Sequence, residues 1–126
     1  MRVLVVDDHD DARDLLDQVP TYAGATVRLA ATAREAVEAL DDIDVVVTDY
    51  SMPGETGVWL LERARERPQP LPVIVVTGYA DLHATELAGA PFARILRKPV
   101  DPWRLCRVIR DVVRRDDARR GRGSGR

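Results

Sequence analysis

A chain of 126 residues has room for one domain, and a composition 45% hydrophobic and 32% charged can bury a core. A formal net charge of −2 excludes a strongly basic nucleic-acid binder as the default reading. A lone cysteine, Cys106, excludes an internal disulfide framework and offers no zinc-ligand spacing. No stretch approaches the roughly 20 apolar residues of a membrane helix, and the apolar run at the start is too short for a signal peptide. A cytoplasmic protein is the expectation.

Val3-Leu4-Val5-Val6 is a short unbroken apolar run, the pattern of a strand buried on both faces. Ala12, Leu15, Leu16 and Val19 then share one helical face. Thr26 to Ala30 alternates around Arg28 and predicts an edge strand. Thr32 is placed to cap a helix, with Glu35 three residues on completing a capping box. Ala33, Ala36, Val37 and Leu40 form its buried stripe. Ile43 to Val47 predicts a third strand. Leu60, Leu61 and Ala64 predict a helix stopped by Pro68 and Pro70. Val73 to Val76 is a fourth strand, Asp81 to Gly89 a weak helix, and Arg94 to Arg97 a second edge strand. Asp101 caps the last helix, Pro102 takes its first position, and Leu105, Val108, Ile109, Val112 and Val113 are its stripe. The Arg- and Gly-rich residues 116–126 are expected to be a flexible tail, leaving a domain of residues 1–115.

Strand and helix alternate five times, which implies a parallel sheet with helices on both faces. Right-handed crossovers prune the topologies. With the first, third and fourth strands inside, the order is 2-1-3-4-5, the doubly wound flavodoxin-like (βα)5 fold of the α/β class.

Ligands of such sheets sit beyond the carboxyl ends of the strands. Strand one ends in Asp7-Asp8, strand three in Asp49, strand four in Thr77 and strand five in Lys98-Pro99. Three carboxylates at one rim repel one another, and a hard cation such as Mg²⁺, which prefers oxygen ligands, relieves that repulsion. Lys98 is the only lysine in the chain, a compact point charge where every other cationic side chain is a guanidinium. Metal, ammonium and hydroxyl together suit the oxygens of a phosphoryl group.

These stretches resemble the response-regulator receiver domains of bacterial two-component signalling. The supporting residues are Leu4-Val5-Val6-Asp7-Asp8, Asp49-Tyr50-Ser51-Met52-Pro53 with Gly57, Leu71 to Gly78, and Lys98-Pro99. The run from Val76 to Asp81 is also similar to receivers attached to hybrid histidine kinases.

The resemblance implies that Asp49 is the phosphoacceptor and that Lys98 pairs with the phosphoryl oxygens. It makes Thr77 the switch hydroxyl. It assigns Mg²⁺ to Asp7, Asp8, Asp49 and the backbone carbonyl of Ser51, and it implies a cis Lys98-Pro99 bond. Its partners are a histidine kinase or histidine phosphotransferase and a downstream protein target. Nucleic acid and membrane insertion are not expected, and a monomer or weak dimer is. Such a module is not an enzyme beyond its own phosphorylation and dephosphorylation. Ser51 and Tyr79 stand where the family tunes dephosphorylation. One departure is clear: the family carries Tyr or Phe three residues before the lysine, and this chain has Ile95.

Other functions fit less well. A haloacid-dehalogenase-type phosphatase needs Asp-x-Asp after the first strand and usually a cap insertion. An FMN site needs a hydroxyl- and glycine-rich loop there, whereas Asp7-Asp8-His9-Asp10-Asp11 repels an anion. A degenerate receiver would lack part of the residue set. His9 and His83 are expected to be solvated, Cys106 a small core or boundary residue, and Trp59 and Trp103 helix-face packing. Without an output domain after the fold, output is expected through docking, as a stand-alone regulator or an excised receiver.

Overall fold

The computed structural model describes residues 1–7, 25–52, 54–78 and 85–120. The helix expected over Ala12 to Val19 lies outside them, as do Asp8, His9, Pro53, Tyr79, His83 and residues 121–126. The strands are β1 (Arg2–Val6), β2 (Thr26–Ala30), β3 (Val45–Asp49), β4 (Val73–Thr77) and β5 (Arg94–Arg97). All pair in parallel, in the order 2-1-3-4-5. The described helices are α1 (Ala33–Val37), α2 (Gly57–Arg65), α3 (Thr85–Gly89) and α4 (Pro102–Arg120).

Side chains of a strand alternate between faces, and the core divides accordingly. Val3, Val5, Val45, Val47, Ile74, Val76 and Leu96 face α4, whose Leu105, Cys106, Ile109 and Val112 close over them. Leu4, Val6, Val46 and Val73 face the other layer, with Ala33, Ala36, Leu40, Leu60, Leu61 and Ala64. The three inner strands are buried along almost their whole length, while β2 and β5 are largely exposed. That is the contrast between unbroken apolar runs and charge-flanked edges.

Thr32 caps α1 as its position predicts, its hydroxyl accepting from the Glu35 N–H at 3.0 Å. The Glu35 carboxylate reaches back one residue further than a capping box requires, to the Ala31 N–H at 3.4 Å. Thr32→Ala removes the acceptor and is expected to cost about 1 kcal/mol, read as a lower denaturant midpoint at unchanged slope.

Two departures from the sequence reading have physical causes. β3 begins two residues later than expected, because the Ile43 N–H is spent closing a 3₁₀ turn on the Leu40 carbonyl at 3.2 Å. It ends at Asp49 as expected, Thr48 and Asp49 pairing with Val75 and Val76 although they are polar. Residues 116–120 are not a flexible tail, since α4 continues through them to Arg120. Ion pairs between Arg115 and Asp111 at 3.3 Å, and between Arg119 and Asp116 at 2.8 Å, support the helix where its apolar stripe ends. Trp59 is half-buried between the guanidinium groups of Arg34 and Arg63, each 5.3 Å from its ring. Trp103, by contrast, is 53% exposed.

Candidate phosphoacceptor site

The sheet register builds the site. Val6 lies opposite Thr48, so the next residues, Asp7 and Asp49, leave neighbouring strands at the same level. Asp49 pairs in turn with Val76, and Thr77 with Arg97, which sets Lys98 one step beyond β5. The Lys98 N–H donates to the Thr77 carbonyl at 3.0 Å, and the Lys98-Pro99 bond is cis.

At the rim, Lys98 Nζ donates to Asp49 Oδ2 at 3.0 Å. The lysine is about one-third exposed, whereas Asp49 and Asp7 are buried. Burial pushes the Asp49 carboxyl above its ordinary range. The hydrogen bond and charge of Lys98 pull it back, the Asp7 charge pushes it up again, and a backbone hydrogen bond from Tyr50 lowers it. An anion short of water beside one cation and one further anion is the arrangement found here. Thr77 is fully buried, and its hydroxyl donates to the Gly78 carbonyl at 3.2 Å.

The loop after β3 is pinned from both sides. Tyr50 packs on Val75 and Leu87, and Met52 joins the core on the α1–α2 face, so exposed Ser51 sits between two buried anchors. Gly54 takes φ 87°, a region L side chains avoid. Thr56 caps α2, accepting from the Trp59 N–H at 3.3 Å. Gly57 then lies so close to β3 that a Cβ there would stand 2.8 Å from the Asp49 carbonyl oxygen. The Arg34–Glu55 pair at 3.5 Å ties this loop to α1.

Asp7, Asp49, Thr77 and Lys98 are thus brought together as the strand ends require, and Ser51 borders them. Asp8 and Tyr79 lie outside the described residues. Two supporting residues were not singled out from the sequence. Thr48 donates its hydroxyl to the Asp49 carbonyl at 2.9 Å, and Thr56 sets the start of α2. A threonine directly before a helix start is a readable cap signal; a buried strand threonine carries none.

Residues 3–110 match the response regulator receiver domain model. The chain belongs to this family. It is 40% identical to an uncharacterised 14.6 kDa protein of Leptolyngbya boryana, with 86% of this chain and 87% of that one aligned. It is 32% identical to the transcriptional regulatory protein FixJ of Bradyrhizobium diazoefficiens over 89% of this chain, but it spans only 56% of FixJ. Among solved structures, a receiver domain from Clostridium thermocellum superposes with TM-score 0.83 at 28% identity, covering 93% of this chain and 97% of that one. A CheY-like receiver from Methanospirillum hungatei superposes with TM-score 0.82 at 30% identity, covering 94% and 97%. The receiver is a signalling module of two-component systems.

Lys98 brings a cationic charge into hydrogen-bond contact with Asp49 at 3.0 Å. Replacing it in Lys98→Met leaves Asp49 with the burial and the Asp7 charge that both oppose ionisation. The pH at which the Asp49 carboxyl ionises is therefore expected to move upward, followed by NMR of its carboxyl carbon. An unmoved titration would show that Lys98 does not set the charge of Asp49.

Proposed function

We propose that this receiver takes a phosphoryl group onto Asp49 from the phosphohistidine of a histidine kinase or histidine phosphotransferase, in a bacterial cytoplasm. The observation that carries this reading is the buried Asp49 carboxylate held at 3.0 Å by Lys98 at the rim beside Asp7. A carboxylate oxygen of Asp49 forms the new P–O bond as the P–N bond of phosphohistidine breaks, and the leaving imidazole nitrogen keeps its electron pair. Lys98, already aimed at Asp49, exchanges part of that contact for a phosphoryl oxygen. The Thr77 hydroxyl gives up the Gly78 carbonyl and donates to another.

The donor set fits a hard cation. Asp7 and Asp49 are oxygen donors, buried side by side, and one lysine does not balance them. Asp7, Asp8, Asp49 and the Ser51 carbonyl would hold Mg²⁺. When bound, it supplies positive charge against the oxygens of the transferring group. The described helices include none long and apolar enough to cross a membrane.

The test is incubation with acetyl phosphate and Mg²⁺. One phosphoryl group should appear by intact mass, and alkali should remove it as it does an acyl phosphate. Undiminished labelling under excess chelator would remove the metal from this account.

Phosphorylation adds about −1.5 to −2 charges at one rim and then shifts a two-state equilibrium. No aromatic ring is present at residue 95; Ile95 is 44% exposed on β5. The response is therefore carried by the backbone from Thr77 to Ala90, of which the described helix α3 spans only five residues. Amide exchange before and after phosphorylation is expected to change most in residues 78–90. Thr77→Ala should lose that change while still accepting phosphate. Equal exchange there in both states, with another surface responding, would refute this route. The chain acts on a downstream protein through the surface so switched.

A further inference from the structure

Thr48 is a polar side chain set in an apolar layer. It is 1% exposed, and it shares its face of β3 with Val46 of the core. Its Cγ2 lies 3.5 Å from where a Cβ on Gly57 would stand, against the start of α2. A hydroxyl in such a place costs free energy unless it is hydrogen-bonded. Valine has the same shape, suits a strand as well and carries no such cost. The Thr48 hydroxyl donates to the carbonyl of the next residue, Asp49, at 2.9 Å.

Thr77 makes the same kind of bond with a different prospect. It is fully buried and donates to the carbonyl of its own successor, Gly78, at 3.2 Å. Thr77 ends β4 at the rim, where a phosphoryl oxygen can replace that carbonyl. Thr48 lies deeper, between Val6 and Val75 in the sheet and two residues short of the level of Thr77. Its bond stays with Asp49.

The Asp49 carbonyl belongs to the peptide group through which the chain leaves β3, and that group is braced on three sides. Its oxygen accepts from Thr48. Its N–H, that of Tyr50, donates to the Val76 carbonyl at 3.1 Å. Gly57 closes on it, since a Cβ there would stand 2.8 Å from the Asp49 oxygen. The following carbonyl, of Tyr50, accepts from the Gly57 N–H at 2.8 Å. Thr48 is the brace that a side chain supplies; the others are backbone. The Asp49 side chain precedes this segment and the Ser51 carbonyl follows it.

We propose that Thr48 is a positioning residue for phosphoryl transfer. Its hydroxyl fixes the Asp49–Tyr50 peptide group, and through it the directions of the Asp49 carboxylate and the Ser51 carbonyl. The role rests on the reading of Asp49 as the phosphoacceptor. It acts through geometry, because small displacements of a reacting group cost rate.

Thr48→Val keeps the shape and loses the hydroxyl, whereas Thr48→Ser keeps the hydroxyl and loses the methyl. The pair is expected to separate rate from stability. Thr48→Val should take up phosphoryl from acetyl phosphate and Mg²⁺ about fivefold more slowly than the parent. Its denaturant midpoint should stay close to the parent's, because the lost bond and the avoided desolvation oppose each other. Thr48→Ser should keep the parent's rate at a lower midpoint, since a buried methyl is gone. Amide exchange of the unphosphorylated chain reads the brace itself. Relative to Val75 and Val76, the Tyr50 and Gly57 amides should exchange about threefold faster or more in Thr48→Val, and as in the parent in Thr48→Ser. A serine variant slowed as much as the valine variant would give the effect to packing and overturn the proposal. So would a valine variant that labels at the parent's rate, or one whose Tyr50 and Gly57 amides exchange as in the parent. A parent that takes up no phosphoryl group overturns the reading of Asp49 and this role with it; the other three results overturn the role of Thr48 alone.

Discussion

Asp49→Asn takes up no phosphoryl group from acetyl phosphate and Mg²⁺, and it melts at a higher temperature than the parent at neutral pH. The first result follows from removing the proposed nucleophile while leaving a side chain of nearly the same shape. The second follows from the direction of the Asp49 shift. Burial raises its folded carboxyl above the unfolded value. Between those two values the folded state binds more protons than the unfolded state, so stability falls as pH rises through that window. The penalty is absent below the unfolded value near pH 4 and persists in full above the folded one. A neutral amide escapes it, and the displaced Lys98 ammonium, about one-third exposed, can turn to water. Melting curves of parent and variant should converge as pH falls toward 4 and separate as it rises. Residual labelling of Asp49→Asn would place the acceptor elsewhere. A lower melting temperature at neutral pH would show that the Lys98 contact outweighs the desolvation of Asp49.

Gly57→Ala is the second large effect, and two terms oppose each other in it. Alanine is the better helix former by about 1 kcal/mol. Its Cβ, however, would meet the Asp49 carbonyl oxygen at 2.8 Å and the Tyr50 Cα at 3.2 Å. Both are backbone atoms at the end of a central strand, and the Gly57 N–H is bonded to the Tyr50 carbonyl at 2.8 Å. Nothing flexible is there to give way, and overpacking of this kind costs about 1–3 kcal/mol. The clash wins, and α2 moves off β3 or Asp49 moves with it. The expected result is a lower denaturant midpoint together with phosphorylation slowed about tenfold or more, since small misplacements of a reacting group are costly. Stability lost with the phosphorylation rate unchanged would mean that α2 alone absorbs the strain.

Where reading the chain succeeded, the signal was local. The unbroken runs Val3 to Val6 and Val73 to Val76 marked inner strands because both faces of each are covered. Arg28, and the pair Arg94 and Arg97, marked edges because a charged side chain there reaches water. The ends of β1, β3, β4 and β5 then named Asp7, Asp49, Thr77 and Lys98, which the structure gathers at one rim. Hydrophobicity misled at the end of the last helix, where a polar group is buried. Asp116 and Arg119 carry α4 beyond its apolar stripe because the two charges satisfy each other.

By itself, then, the order of residues determined which segments alternate, which strands lie inside and which side chains arrive at the carboxyl ends. Those properties follow from backbone periodicity and from whether each side chain tolerates water. Only the tertiary structure decided how the assembled groups behave. The 3.0 Å contact of Lys98 with Asp49, and the closeness of Gly57 to the Asp49 carbonyl, join residues far apart in the chain. The same holds for the burial that raises the Asp49 carboxyl, and the exposure of Trp103 likewise rests on which side of α4 the sheet covers. A distance across a sheet and a loss of water depend on every element that packs there, and no local window of residues contains them.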